Sequence, residues 1–168
     1  MTEPVWGYLA RSSGLVARVL VVLSLVWGIL LATRVLRPND RPAWLLDLHR
    51  WFGWLALTMV GLHLVGLAID GYVDFGWAEL LVPGVSRHEP LGVALGVLSF
   101  WALLAVQLTS VIRRRLPRAL WYRVHLLSYG MVLGSTLHAG MAGTDVTSPP
   151  YRILALLLTI VAVGAVLI

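Results

Sequence analysis

Five stretches of this chain, approximately 14–33, 46–70, 90–112, 119–142 and 150–168, are each apolar over about the 20 residues a helix needs to cross the hydrocarbon of a bilayer. No other feature limits the possible folds as sharply. The expected fold class is all-α: a multi-pass transmembrane bundle of about five helices, with residues 1–168 forming one transmembrane domain. Composition agrees, since 59% of residues are hydrophobic and 12% charged, where a soluble domain keeps roughly a quarter charged. The first run is too long for a signal-peptide core and no small-x-small cleavage site follows it, so it counts as a helix. The fifth stops at Ile168 with no polar residue behind it, which suggests a chain that is trimmed or continued by a partner.

Charge gives the expected topology. The net charge of +5 comes from thirteen arginines and no lysine against eight acids. On a soluble protein such a balance would suggest nucleic acid. Here the arginines lie mostly between apolar runs, so the expected partner is the lipid bilayer and no nucleic acid. Arg34, Arg37 and Arg41 precede the second run, and Arg113, Arg114, Arg115 and Arg118 separate the third from the fourth. With Arg50 and Arg123 these make nine of the thirteen. Arg11, Arg18, Arg87 and Arg152 fall to the other side with Asp70, Asp74, Glu79, Glu89 and Asp145. Positive charge gathers in cytoplasmic loops, which places the N-terminus outside a cell (plasma or inner) membrane and the C-terminus inside. Pro83-Gly84 marks a turn in the loop 71–89, and Pro90 and Pro150 each open a helix. Trp44, Trp51, Trp121 and Tyr122 read as an aromatic belt at the inner boundary, with Trp77 at the outer one. The chain has no cysteine, which excludes disulfides, Cys-ligated iron–sulfur clusters and thiolate metal sites.

Four of the five histidines lie in two of the runs: His49 and His63 in the second, His125 and His138 in the fourth. Fourteen residues rise about 21 Å on a helix and fall roughly 40° short of four turns, so His49 and His63 share nearly one face. A single intramembrane histidine is explained by a hydrogen bond to a neighbouring helix. Four at matching depths point further, because polar groups in lipid are costly and imidazole is a common axial ligand of haem iron. His49, Gly53, Ala56, Val60 and His63 form one stripe, on which Gly53 and Ala56 leave room for a porphyrin. Gly130, Gly134 and His138 form a similar stripe, while Gly92-x-x-x-Gly96 reads as close helix packing. Arg50 and Arg123 stand where haem propionates would emerge, and equally where positive-inside charge is expected. Met59 and Met131, between the two histidine levels, read as core filler before ligands or polarizable stepping stones. His88, in an outer loop, is solvated or touches an external substrate or metal. One conflict stands: 13 residues leave His125 and His138 about 140° apart on an ideal helix. Either that helix is bent or rewound near Gly130–Gly134, or two haems sit at different azimuths.

Trp121-x-Arg123-x-His125-x-x-x-Tyr129, with His138 thirteen residues after the first histidine and an arginine-rich loop before it, resembles the ferric reductase-like transmembrane domain. That group includes ferric reductases, NADPH oxidases and the haem-binding subunit of the bacterial methionine sulfoxide reductase system. His49-Arg50-Trp51-x-Gly53 followed by His63 is similar to the family's other ligand helix. The resemblance covers about residues 44–145. It implies two haem b groups, each bis-His ligated: His49 and His125 on the inner, His63 and His138 on the outer. Six-helix members carry another segment, and the flavin and nicotinamide domains of larger members have no counterpart here; no Gly-x-Gly-x-x-Gly follows a strand. The implied function is a transmembrane electron conduit, an oxidoreductase-type haem subunit fed by a separate flavoprotein or a quinol and discharging to an outer-side acceptor. Two rivals remain. One is a cytochrome b subunit of the b561 or hydrogenase type, with other helix pairings; the other is a non-redox transporter or assembly factor. Metal transport would favour carboxylates beside the histidines at mid-membrane, and none lies deep in these runs.

Overall fold

The computed structural model describes residues 4–33, 43–71, 73 and 75–167. Arg34, Arg37, Arg41 and Asp74, used above for the topology, lie outside the described residues, as does Ile168. The described chain is helical throughout its long elements: α1 (Pro4–Thr33), α2 (Ala43–Ile69), a short α3 (Trp77–Leu81), α4 (Pro90–Val111), α5 (Arg118–His125), α6 (Leu127–Met141) and α7 (Pro149–Val166). A 3₁₀ turn, Arg113–Arg115, joins α4 to α5. Among the described residues, α1, α2, α4 and α7 are each long and apolar enough to span a membrane. The fold is the expected all-α, multi-pass bundle.

Three boundaries differ from the apolar runs. Helix α1 begins at Pro4 rather than Gly14. The residues up to Ser13 extend the helix because their polar groups bond back along it: Arg11 Nε–H donates to the Gly7 carbonyl at 3.3 Å and the Ser12 hydroxyl to Leu9 at 3.3 Å. The loop 71–89 contains α3, followed by the expected turn, where Gly84 adopts φ 86°. The fourth run is two helices, not one. α5 ends at His125 and α6 starts at Leu127, with Tyr129 N–H donating to the Leu126 carbonyl three residues back at 3.2 Å. A three-residue bond winds the chain by about 120° per residue instead of 100°. That overwinding works toward closing the azimuth gap between His125 and His138. It sits at Leu126, four residues before the Gly130–Gly134 segment where it was expected. The remaining ends fall within three residues of expectation, and α7 is opened by Ser148, whose hydroxyl oxygen accepts from Tyr151 N–H at 3.4 Å.

Packing follows two antiparallel hairpins. α1 lies along α2, and α4 lies along α6, while α2 and α6, which carry His63 and His138, scarcely approach one another. α7 packs on α1. Small residues permit the close hairpin contacts: a Cβ on Gly66 of α2 would meet the Ala10 backbone of α1 at 2.9 Å, and one on Gly92 of α4 would meet the Met141 side chain at 3.0 Å. The core lies at mid-height, where Val21, Val22, Leu25, Ile29, Ala56, Leu103, Met131, Val132, Ala162 and Ala165 come together. Met131 therefore takes the filler role expected of it. Large apolar side chains such as Leu98, Leu133, Leu156 and Ile160 face outward, as a lipid-facing surface requires.

Candidate functional site

The two hairpins bring the four intramembrane histidines into two facing pairs. His49 of α2 faces His125 at the end of α5, with ring centroids 6.1 Å apart. His63 of α2 faces His138 of α6 at 6.3 Å. Two metal–imidazole bonds of about 2.0–2.1 Å, placed in line, separate ring centroids by about 6.3 Å. Both pairs stand at that separation. The rings are too far apart to bond each other and suitably placed to share one atom between them.

Three of the rings are turned for this by the same kind of bond. His63 Nδ1–H donates to the Ala10 carbonyl at 2.7 Å, His138 Nδ1–H to the Gly92 carbonyl at 2.8 Å, and His49 Nδ1–H to the Ser24 carbonyl at 3.0 Å. An Nδ1–H bonded to a carbonyl leaves Nε2 unprotonated and fixed in direction, the arrangement found behind metal-bound histidines. Each of these rings also rests on a glycine of the carbonyl-bearing helix. A Cβ would meet His63 at 2.9 Å on Gly14, His49 at 3.2 Å on Gly28 and His138 at 2.6 Å on Gly96. Gly92 and Gly96 thus do more than pack helices: one supplies the acceptor for His138 and the other the space for its ring. His125 differs. Its Nδ1 is buried without a hydrogen-bond partner among the described residues, and its ring stacks on Trp121 at 4.9 Å.

Of the small stripes, that on α2 is buried: Gly53 packs against the Gln107 amide of α4, and Ala56 has 0% exposure. The α6 glycines do not line the cavity beside His138. Gly134 packs on Ser99 of α4, where a Cβ would come within 2.6 Å of Oγ, and Gly130 has nothing within 4 Å. Met131, Ser135 and Ala139 line the cavity beside His138 instead.

That cavity has a volume of about 920 Å³ and is bounded by His63, His138, Val60, Leu103 and Met131. Its size falls in the ~300–1,000 Å³ range of small-molecule and cofactor sites. Arg18, expected among the charges of the outer flank, instead lines this cavity from the middle of α1. It is 7% exposed and its Nε is buried without a partner among the described residues. A buried guanidinium without an acceptor is costly, and a ligand carboxylate would satisfy it bidentately. His88 lines the mouth of the same cavity, against Phe75 at 6.0 Å. Arg50 is exposed and paired with Asp47 at 3.2 Å, and Arg123 is exposed. Among the described residues no three or more His, Asp or Glu side chains gather to hold a bare metal ion. Two facing imidazoles suit a metal whose other ligands come from a macrocycle.

The sequence matches the family described as ferric reductase like transmembrane component over residues 13–136. The chain belongs to that family. The ferric reductase-like match begins on α1, takes in α2 and α4, and ends two residues before His138. Membership assigns the chain a role in membrane redox electron transfer, in a family that generally binds haem. Neither the curated proteins nor the solved structures contain a match.

Proposed function

We propose that this ferric reductase-like chain, residues 1–168 acting as one transmembrane domain, binds two haem b groups. His49 and His125 would hold the one nearer the Arg113–Arg115 turn, and His63 and His138 the other. The observation that carries this reading is the pair of facing imidazoles, 6.1 and 6.3 Å between centroids, with three of the four Nδ1 atoms tied back to carbonyls. Bound there, haem would supply one-electron chemistry, with both histidines of a pair engaged in holding it.

The chain's own residues do the rest. Ala10, Ser24 and Gly92 orient the ligands through their carbonyls. Arg18 offers a cation to a carboxylate inside the larger cavity, and Arg50 and Arg123 offer two more at the arginine-rich edge. The rise between His49 and His63, about 21 Å on an unbroken α2, spreads the two sites across most of the hydrocarbon. The arginine-rich side is the cytoplasmic one, so a separate flavoprotein or a quinol donates there and an acceptor receives on the outer side. Outward electron flow is then downhill by about 2.3 kcal/mol per 100 mV of interior-negative potential.

The test is a pyridine haemochrome assay on protein purified with ample haem, followed by spectra of the reduced state. Two haem b per chain, with the visible bands of low-spin bis-histidine iron, are the expected result. A colourless protein overturns the proposal.

A further inference from the structure

The seats of His49, His63 and His138 share one construction. A carbonyl accepts the imidazole N–H, and four residues later a glycine makes room for the ring: Ala10 and Gly14, Ser24 and Gly28, Gly92 and Gly96. On α1 the two seats repeat after 14 residues, the spacing of the histidines they serve on α2. The same step along α4, from Gly92 and Gly96, leads to Val106 and Ser110. There the construction fails. The Val106 carbonyl already accepts the Thr109 hydroxyl at 3.2 Å, and Ser110 carries a side chain where the other seats have none. This is the seat His125 would have used, and His125 Nδ1 has no hydrogen-bond partner among the described residues.

Trp121 occupies the gap. It lies one turn before His125 on α5, stacked at 4.9 Å with planes 27° apart. Its indole N–H donates to Ser110 Oγ at 3.4 Å, and the Arg113 guanidinium lies 5.2 Å from its ring. The missing seat on α4 is thus replaced by an aromatic strut fixed to the same helix end.

Resting on the dihaem reading above, we propose that Trp121, held by Ser110 and Arg113, is the positioning residue of His125, and that this stacked seat makes His125 the exchangeable axial ligand of the four. An N–H···O=C bond sets the tautomer, fixes the direction of Nε2 and raises its basicity. Stacking restrains the plane of the ring and does none of these. Of the four histidines, His125 would therefore hold an iron least firmly. With reduced haem held there, His125 would be the ligand that carbon monoxide replaces, by exchange of one iron ligand for another with no electron or proton moving.

Haem-loaded full-length protein, reduced with dithionite and titrated with carbon monoxide, reads this directly, with the low-spin signals of the oxidised protein as a second measurement. In the native chain one haem of the two is expected to take carbon monoxide. Trp121→Ala raises the affinity of that haem by about 10–100-fold, the usual effect of losing a ligand's supporting partner, and leaves the other haem's low-spin signal intact. Ser110→Ala, which cuts the anchor and keeps the ring, gives a smaller rise at the same haem. If Trp121→Ala does not fold, Ser110→Ala decides alone. Unchanged carbon monoxide binding in the variants, or an equal change at both haems, overturns the proposal and leaves the dihaem reading standing. Native protein without haem overturns that reading first, and the proposal with it.

Discussion

Replacing Gly96 by alanine probes how the ligands are aimed, because the geometry fixes the sign and scale of the effect. The new Cβ would lie 2.6 Å from His138 Nδ1 and 2.8 Å from Cε1, where ordinary contact begins at 3.4 Å. The ring, or α4 itself, must retreat by about 0.8 Å, the difference between those two separations. A retreat of the ring on that scale stretches the 2.8 Å bond to the Gly92 carbonyl past useful length. Losing it costs about 0.5–1.5 kcal/mol in the haem-free protein. In the haem-loaded protein the loss adds a misdirected ligand, worth about 10–100-fold in affinity for the metal group.

The control is Gly164→Ala on α7, where an added Cβ meets nothing within 4 Å. There the substitution gains helix propensity, about 0.8–1.0 kcal/mol on scales for water-soluble helices. Thermal unfolding in detergent, with and without haem, together with haem retained through purification, separates the two. Gly96→Ala is expected to lower the midpoint and to lose the His63–His138 haem selectively, and Gly164→Ala to do neither. Full retention of both haems by Gly96→Ala would refute the claim that this glycine seats the ligand.

Other changes follow from the same contacts. His63→Ala or His138→Ala removes one haem of two and leaves the signal of the His49–His125 centre; loss of both haems from either single variant would contradict two separate sites. Arg18→Met replaces an unpartnered buried cation with an apolar chain, so the haem-free protein should be unchanged or up to about 4 kcal/mol more stable, while haem retention at the His63–His138 level falls. Equal retention would show that Arg18 faces no ligand carboxylate. Tyr151→Phe removes the 2.7 Å bond from the Tyr151 hydroxyl to the Ala139 carbonyl, which ties α7 to α6. It should cost about 0.5–1.5 kcal/mol in thermal stability and leave the haem spectrum alone.

The parts of this molecule legible from sequence are those set by one helix at a time. Length and apolarity placed the membrane-crossing segments, and the 14-residue rise placed His49 and His63 on one face of an unbroken α2. What escaped depends on pairs of helices. Arg18 was counted with the outer charges although it stands inside the first apolar run; only the packing of α1 against its neighbours turns it into the cavity. Gly130 and Gly134 looked like a cofactor stripe because four-residue spacing nearly follows a helix face, but Gly134 is used for close packing on Ser99 of α4 and Gly130 has nothing within 4 Å. The break at Leu126 had no local signal: neither proline nor glycine stands at that position, and the 13-residue histidine spacing was its only trace.

The histidine seats show where a usable signal lay. Gly14 and Gly28 are separated by the same 14 residues as His49 and His63, although they sit on a helix without histidines. Two antiparallel helices keep a constant rise per residue, so a feature that serves both histidines of one helix must recur on its neighbour at the histidines' own spacing. That argument needs no fold, only the assumption that α1 and α2 are adjacent, which a connection of nine residues makes the default. Applied to α4, the same spacing predicts a seat at Val106 and Ser110 and finds none. The four histidines alike in sequence are therefore unequal in the fold, and the inequality is carried by the helices α1 and α4, which carry no histidine at all.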